Sequence, residues 1–416
     1  MFTELFDGPI ARARHTASPF PDARREFLHH LKRLGYARTS LKAVACELVI
    51  IVNRLDLSGT APVDIAVVEA AARRWATHQV RRRHSTSLTI SERNFRYWAV
   101  QWLRFLNRLT ERPAAGAPPF QPLLDGFCRY MANEQGLTPT SIKSHGWKTA
   151  KFLEWYASLD RPFADVTIQD VDTFLAAKGK ATWGRRSVAI AVQALRAFFR
   201  YAERTHRCRA GIAEAISGPR LFDFETLPAG PSWTDVTAII AELRTDRPAD
   251  IRRVAALLLF ATYGFRLGEV AALRLEDLDW EREEIRIRRL KRREVQTYPL
   301  SKEAGTALLR YLTQVRPRGP WREVFLTLQA PHRPLSHGGL YHLASRVLCA
   351  RRLRLQHHGP HALRHACATR LLSQGLSFKH IGDHLGHRHA DATAVYAKVD
   401  LPGLREVARF DLGGAR

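Results

Sequence analysis

The sequence predicts a mostly α-helical chain with a small β-sheet: two small helical modules followed by a mixed α/β domain. Three observations predict this. Two Pro/Gly-rich breaks divide the 416 residues into three segments, the first two segments look like versions of one another, and only the third carries short alternating runs rich in β-branched residues. The first break is Arg112–Pro122, with Pro113, Gly116, Pro118, Pro119 and Pro122. The second is Arg207–Ser232, with Gly211, Gly218, Pro219, Pro228, Gly230 and Pro231. Neither sustains an apolar period, so both read as linkers. The domains expected are therefore 1–112, 123–206 and 233–416, joined by linkers at 113–122 and 207–232.

The likeness of the first two segments runs through several elements. Phe27-Leu-His-His-Leu is followed by Gly35-Tyr-Ala-Arg-Thr-Ser-Leu41, and Phe127-Cys-Arg-Tyr-Met by Gly136-Leu-Thr-Pro-Thr-Ser-Ile142. In each, a helix ends at Gly and Thr-Ser opens the next. Helical stretches Val44–Leu55 and Lys148–Leu159 follow. Val63-Asp-Ile-Ala-Val-Val68 then parallels Val166-Thr-Ile-Gln-Asp-Val171, and amphipathic helices Phe95–Leu109 and Ser187–Ala202 close the two segments. The offset drifts from 100 to 101 residues between Phe27/Phe127 and Gly35/Gly136, which marks a weak repeat with small insertions.

The third segment mixes periods. Thr234–Arg244 and Ile251–Tyr263 read as helices. Glu284–Leu290 and Val295–Leu300 alternate and read as strands joined by a turn at Lys291–Glu294. Helices are expected again at Ser301–Val315, Gly338–Leu348, Ala362–Gln374, Ser377–Leu385 and Leu401–Ala408.

Composition narrows the function classes. Lys and Arg number 65 against 40 Asp and Glu, a formal charge of +25 with a pI near 10.6. An excess of this size favours a polyanion as partner, nucleic acid ahead of an anionic membrane surface. Hydrophobic residues make up 45%, enough for real cores, which excludes a wholly disordered basic tail. Met1–Arg12 has no apolar core flanked as a signal peptide would be, and the most apolar run, Val254–Thr262, is far short of the ~20 residues that span a bilayer. Five scattered cysteines form no CxxC pair and support neither a disulfide framework nor a thiolate metal site. A cytoplasmic, nucleoid-associated protein is the expectation, with no membrane partner.

Polar residues of the third segment fall into an ordered set. Tyr263-Gly-Phe-Arg-Leu-Gly-Glu-Val270 places Arg266 just after a Gly, between apolar helical stretches. His361-Ala-Leu-Arg-His365 puts His361 and Arg364 three apart, on one helical face. Leu385-Gly-His387 follows, and Tyr396 stands nine residues further on.

At these residues the chain resembles the tyrosine recombinase, or phage integrase, family of Xer type. The family's boxes are present in order as Gly264-Phe-Arg-Leu-Gly-Glu269, His361–His365, Leu385–His387 and Tyr396. The resemblance covers about 234–410 strongly and 122–206 moderately. It implies a fold of helical SAM-like DNA-binding modules followed by a mixed α/β tyrosine-recombinase catalytic domain. Residues 1–112 lie outside the family minimum and look like an extra copy of the core-binding module.

Carried over residue by residue, the resemblance makes Tyr396 the nucleophile and Arg266 and Arg364 the clamp on the non-bridging oxygens of a scissile phosphate. A guanidinium suits that task because its planar fork gives two charge-assisted bonds and stays ionised. His361 matches a hydrogen-bonding and proton-transfer role and His387 a further phosphate donor. The general acid is expected on the strand hairpin, where the family's Gly-Lys-Gly is replaced by Arg289-Leu-Lys-Arg-Arg293. Lys291 is the only lysine in that turn and is assigned to the role. Glu269 is read as a structural partner that orients Arg266 or caps the site, and His365 as a support behind the reacting groups. Arg185, Arg186, Arg292 and Arg293 are the side chains expected on DNA. The resemblance implies 3′-phosphotyrosine chemistry without metal or other cofactor, on double-stranded DNA, by a homo- or hetero-tetramer in which the modules and catalytic domain of each chain clamp the duplex. A mobile-element task is the expectation, with an amphipathic segment at Asp400–Phe410 packing on a neighbouring protomer.

Other readings stay open on the sequence. His380, His384, His387 and His389 include an i, i+4 pair that could ligate zinc, though no third ligand of that type is evident. The basic runs Arg81–His84 and Arg351, Arg352 and Arg354 can be solvated surface or phosphate contacts, and Trp183 can pack on sugar or on protein. A type IB topoisomerase-like activity and an inactive DNA-binding accessory protein both remain as alternatives to strand exchange.

Overall fold

Apolar residues spaced three and four apart account for most of the architecture. The computed structural model describes residues 1–55, 57, 61–81, 87–110, 120–221, 230–289, 294–353, 355, 357–387 and 393. They form two compact units, one holding the N-terminal bundle and the mixed domain, the other the middle bundle.

The N-terminal bundle comprises α1 (Phe2–Leu5), α2 (Pro9–Ala17), α3 (Pro21–Arg33), α4 (Arg38–Val52), α5 (Ile65–Arg81) and α6 (Leu88–Phe105). Phe27, Leu28, Leu48, Ile51, Phe95 and Trp102 form its centre. Two short helices, α1 and α2, precede the part that resembles the middle bundle. Phe2, Leu5 and Phe6 enter the same core at i, i+3 and i+4 spacing. The carbonyl end of α2 is closed by Arg24, which is fully buried and donates to the backbone oxygens of His15 (2.7 Å), Ser18 (2.7 Å) and Pro19 (2.9 Å).

The middle bundle comprises α7 (Gln121–Asn133), α8 (Pro139–Ala157), α9 (Ile168–Ala181), α10 (Arg185–Arg204) and the one-turn α11 (Ile212–Ala215). Thr167 and Asp170 form a reciprocal cap at the start of α9. The turns after α3 and α7 are made by Gly35 and Gly136 at φ of +88° and +60°, a region open to glycine without steric penalty. The last long helix of each bundle ends alike: Asn107 and His206 sit at φ of +53° and +54°, and the next N–H reaches back to Leu103 and Ala202 at 2.8 Å.

Two linker expectations change. Pro122 belongs to the first turn of α7, where a missing N–H is tolerated. The stretch 207–232 does not start as a linker: Ile212, Ala213 and Ile216 are buried against α10, and Arg196 donates twice to the Ile216 carbonyl, at 2.9 and 2.6 Å. Its glycines and prolines concealed an apolar pair at helical spacing.

The mixed domain contains α12 (Trp233–Glu242), α13 (Pro248–Thr262), α14 (Leu267–Ala271), strands β1 (Leu278–Asp279), β2 (Glu284–Arg289) and β3 (Glu294–Pro299), then α15 (Lys302–Gln314), α16 (His337–Ala350), α17 (Pro360–Ser373) and α18 (Phe378–Leu385). The antiparallel sheet has order β1-β2-β3, with Ile285 opposite Tyr298, Ile287 opposite Gln296 and Arg289 opposite Glu294. Helix α13 is buried along most of its length and forms the spine of the core. Leu290–Arg293, Tyr396 and 400–410 lie outside the described residues, and with them the expected positions of Lys291, Arg292, Arg293, the nucleophile and the final helix. No helix among the described residues is long and apolar enough to cross a membrane.

Candidate active site

Arg266 stands immediately before α14, whose first turn folds back on it. Its backbone N–H and its Nη1 donate to the two oxygens of Glu269, at 2.7 and 3.0 Å. Gly264 makes the bend at φ +63°, and a Cβ there would come within 2.5 Å of Leu385 Cδ2. Glycine at that box position is therefore required by backbone and by packing together.

Arg364 lies on the buried face of α17, 4% exposed. It donates to the Gly264 carbonyl at 2.5 Å and to the Leu385 carbonyl at 2.8 Å. Arg266 Nη2 donates to the Gly386 carbonyl at 3.0 Å. Arg289, the last residue of β2, donates to the His384 carbonyl at 2.9 Å. Three guanidinium groups from three distant stretches thus take three consecutive carbonyls, 384, 385 and 386, at the C-terminal end of α18. Carbonyls at a helix C-terminus lack intrahelical donors and carry the negative end of the helix dipole. That end therefore gathers cations and satisfies itself at once.

Glu269 is the anion at the centre. It is buried, and besides Arg266 it accepts from Arg289 Nη1 at 2.8 Å. Arg289 also donates from Nε to Gln296 Oε1 at 3.0 Å and from Nη2 to the Tyr298 hydroxyl, which itself donates to the His384 carbonyl. Burial pushes the Tyr298 phenol up to about 12, so it stays a donor. Gly386, at φ +65°, closes the helix, and a Cβ on it would lie 2.6 Å from Arg289 Nε.

The histidines gather at the same place. His361 is exposed on α17, and its Nε2 is 3.1 Å from Nε2 of His365. Nδ1 of His387 is 2.6 Å from the hydroxyl of the buried Thr393. Desolvation first, then the Arg364, Arg266 and Arg289 guanidiniums, hold His387 down at about 3. Desolvation, His361 and Arg364 hold His365 at about 4. His361 is lowered by the same causes, partial desolvation before the Arg364 charge. All three are neutral at pH 7, able to donate from one nitrogen and accept at the other.

The structure thus brings together Arg266, Glu269, His361, Arg364, His365 and His387. Arg185 and Arg186 belong to the middle bundle and are exposed at the start of α10, where Arg185 donates to the Arg220 carbonyl at 2.6 Å. Trp183 packs edge-on against Phe174 and carries Lys148 over its face at 4.0 Å, so at least one face rests on protein. Among the described residues no three His, Cys, Asp or Glu side chains meet in a way that would hold a metal ion. The sequence reading missed Arg289, Tyr298 and Gln296. The strand alternation held the signal, because period two sets Arg289 on the buried face with Ile285 and Ile287.

Such a cluster is built to receive an anion: several fixed cations, one buried carboxylate, and neutral imidazoles at the rim. Residues 233–401 match the phage integrase family, and residues 124–206 match the phage integrase N-terminal SAM-like domain. A putative integrase/recombinase y4rF of Sinorhizobium fredii is 32% identical over 73% of this chain and 72% of its own length. Tyrosine recombinase XerD of Listeria innocua is 27% identical over 68% of this chain and 96% of its own. The fold is also that of the XerH site-specific recombinase, solved bound to a palindromic difH substrate, with a TM-score of 0.56 at 16% identity over 85% of this chain and 98% of that one. The Tn1549 transposon integrase, solved with transposon right-end DNA, has a TM-score of 0.52 at 15% identity, covering 68% and 98%. With its arginines gathered on one helix end and its sequence aligned along most of these relatives, the chain belongs to the phage integrase family, the tyrosine recombinases of site-specific recombination.

Proposed function

We propose that this chain cuts and rejoins double-stranded DNA through a 3′-phosphotyrosine intermediate in the service of a mobile element. The observation that carries the reading is the convergence of Arg266, Arg364 and His387 on the α18 terminus. In this reading the phenolic oxygen of Tyr396 attacks phosphorus. The P–O5′ bond breaks, and Lys291 gives its proton to the departing 5′-oxygen. The phenol's proton leaves by way of His361. Arg266 and Arg364 hold the non-bridging oxygens, whose charge rises in the phosphorane. The Thr393 hydroxyl, 2.6 Å from Nδ1 of His387, is taken in this reading to donate to that nitrogen, which leaves Nε2 as the ring's donor. A 5′-hydroxyl from another strand reverses the step, so the bond energy is conserved and no external energy source is needed. Tetramers of recombinase protomers on paired sites would carry the two rounds of exchange, in the cytoplasm at the nucleoid.

Within this reading the middle bundle supports the core-site contact, with Arg185 and Arg186 on backbone phosphates. The N-terminal bundle serves as a second DNA module. It shares the middle bundle's element order and turns, and residues 1–110 carry 18 Lys and Arg against nine Asp and Glu. Arg73, Arg74 and Arg93 are exposed on α5 and α6. Converting all three to Glu should shorten the footprint on the flanking DNA and reduce the salt slope of binding by ~0.9 per lost phosphate contact.

The central test uses a nicked suicide duplex drawn from the DNA flanking the gene. A covalent protein–DNA adduct that disappears in Tyr396→Phe supports the reading. Adduct formation persisting in that variant would remove it, and supercoil relaxation without a cognate site would favour the topoisomerase-like alternative.

A further inference from the structure

Arg289 occupies a position that neither the family's boxes nor the roles above assign, and its guanidinium is buried among polar partners. It is 2% exposed, ends β2, and stands two residues before Lys291 in the sequence. Its three nitrogens reach four groups: Gln296 across the hairpin, the Tyr298 hydroxyl beneath it, the His384 carbonyl at the α18 end, and Glu269, which in turn holds Arg266. The backbone of Gly386 is packed against the guanidinium so closely that only glycine fits there.

The geometry points to Arg289 as a positioning residue that locks the end of the β2–β3 hairpin in register with Arg266 and the His387 turn. The inference rests on the functional reading above. A buried guanidinium held at several donors is rigid, because each bond removes a rotamer that the others also forbid. The strand leading to the lysine turn is therefore fixed to the same carbonyl row that fixes the phosphate-binding arginines. Lysine at 289 would keep the charge and lose the fork, and could not serve strand, helix end and Glu269 together. Glu269 is then the shared anion by which a displacement of the hairpin would reach Arg266.

Single-turnover cleavage of the nicked duplex by full-length protein tests this, with the dissociation constant measured in parallel. Arg289→Lys and Arg289→Met are expected to bind DNA with little change and to form the adduct about 10- to 100-fold more slowly, the loss typical of a misplaced reacting group. A duplex with sulfur in place of the bridging 5′-oxygen should restore most of that rate. A thiolate leaves without a proton, so rescue shows that the missing factor is placement of the acid. Tyr298→Phe removes one acceptor of Arg289 at almost constant volume. It should slow cleavage several-fold with fold and binding intact, which keeps the test decisive where methionine at 289 prevents folding. Wild-type cleavage rates in Tyr298→Phe and Arg289→Lys would overturn the proposal, as would slow variants that the sulfur substrate fails to rescue. A wild-type chain that forms no adduct would overturn the reading of the whole site, and this inference with it.

Discussion

Arg24 in the N-terminal bundle and the arginines of the mixed domain perform the same local task with different proportions. Both close the carbonyl end of a helix away from water. At α2, one guanidinium takes three backbone carbonyls, with no carboxylate among its partners in the described residues. Burial pulls that arginine down to about 10. At α18, three guanidiniums take one carbonyl each, and Glu269 is shared between two of them. The first arrangement is an internal staple. The second concentrates more positive charge than the helix end needs, and Arg266 remains a third exposed. The contrast shows that a buried arginine is not in itself a sign of function. Three guanidiniums gathered around a single carboxylate, one of them still a third exposed, are what mark a site.

Substitutions can break this contrast, and the largest effect is expected at Arg266. Arg266→Ala should slow adduct formation by about 100- to 1000-fold, or ~3–4 kcal/mol of barrier, with the melting temperature close to that of the parent because Glu269 keeps Arg289. The mirror image is Arg24→Met. Stranding three carbonyls, one of them in a fully buried bond, should lower the stability of the N-terminal bundle by about 2–3 kcal/mol, read by denaturant unfolding, while the cleavage rate per folded molecule is unchanged. A cleavage defect in Arg24→Met at full folding would erase the distinction.

Acid sharpens the comparison further. His15, stacked on Phe6 beside Arg24, is held at about 4 by burial and then by that charge, as His365 and His387 are held at about 4 and 3. These folded-state values lie below the unfolded ~6.5. The unfolded chain therefore takes up protons first, and stability falls as pH drops from ~6.5 toward 4 and 3. Between pH 6.5 and 5 each group should remove about 1–2 kcal/mol. A pH series of unfolding curves checks this, and His15→Phe should spare the N-terminal bundle alone. The smallest effect is expected from Thr393→Val, which takes away the hydroxyl at His387 Nδ1. Cleavage should slow only a few-fold, and an effect as large as that of Arg266→Ala would mean that the hydroxyl itself meets the substrate.

The sequence disclosed those parts of the fold and site that short patterns encode. Arg266, His361, Arg364 and His387 lie in compact boxes, and the structure brings these four together. Glu269 was legible as a partner because it stands at i+3 from Arg266, one helical turn on. Arg289 was hidden by its own composition. In a run that reads Arg-Ile-Arg-Arg, each arginine suggests solvent, and only the position relative to Ile285 and Ile287 says otherwise. The linker at 207–232 misled for the opposite reason, since punctuating residues outweighed Ile212 and Ile216 in a local reading. What selected both was tertiary contact, which no window of neighbouring residues contains.

The row of carbonyls at 384–386 has a mechanical corollary. Helices turn by about 100° per residue, so deleting or adding one residue before Leu385 would swing all three acceptors away from their guanidiniums together. The same linkage means that a tug on this helix end is felt by every arm of the cradle simultaneously. Such an assembly switches as a unit, poised or dismantled, with little room for a half-formed blade.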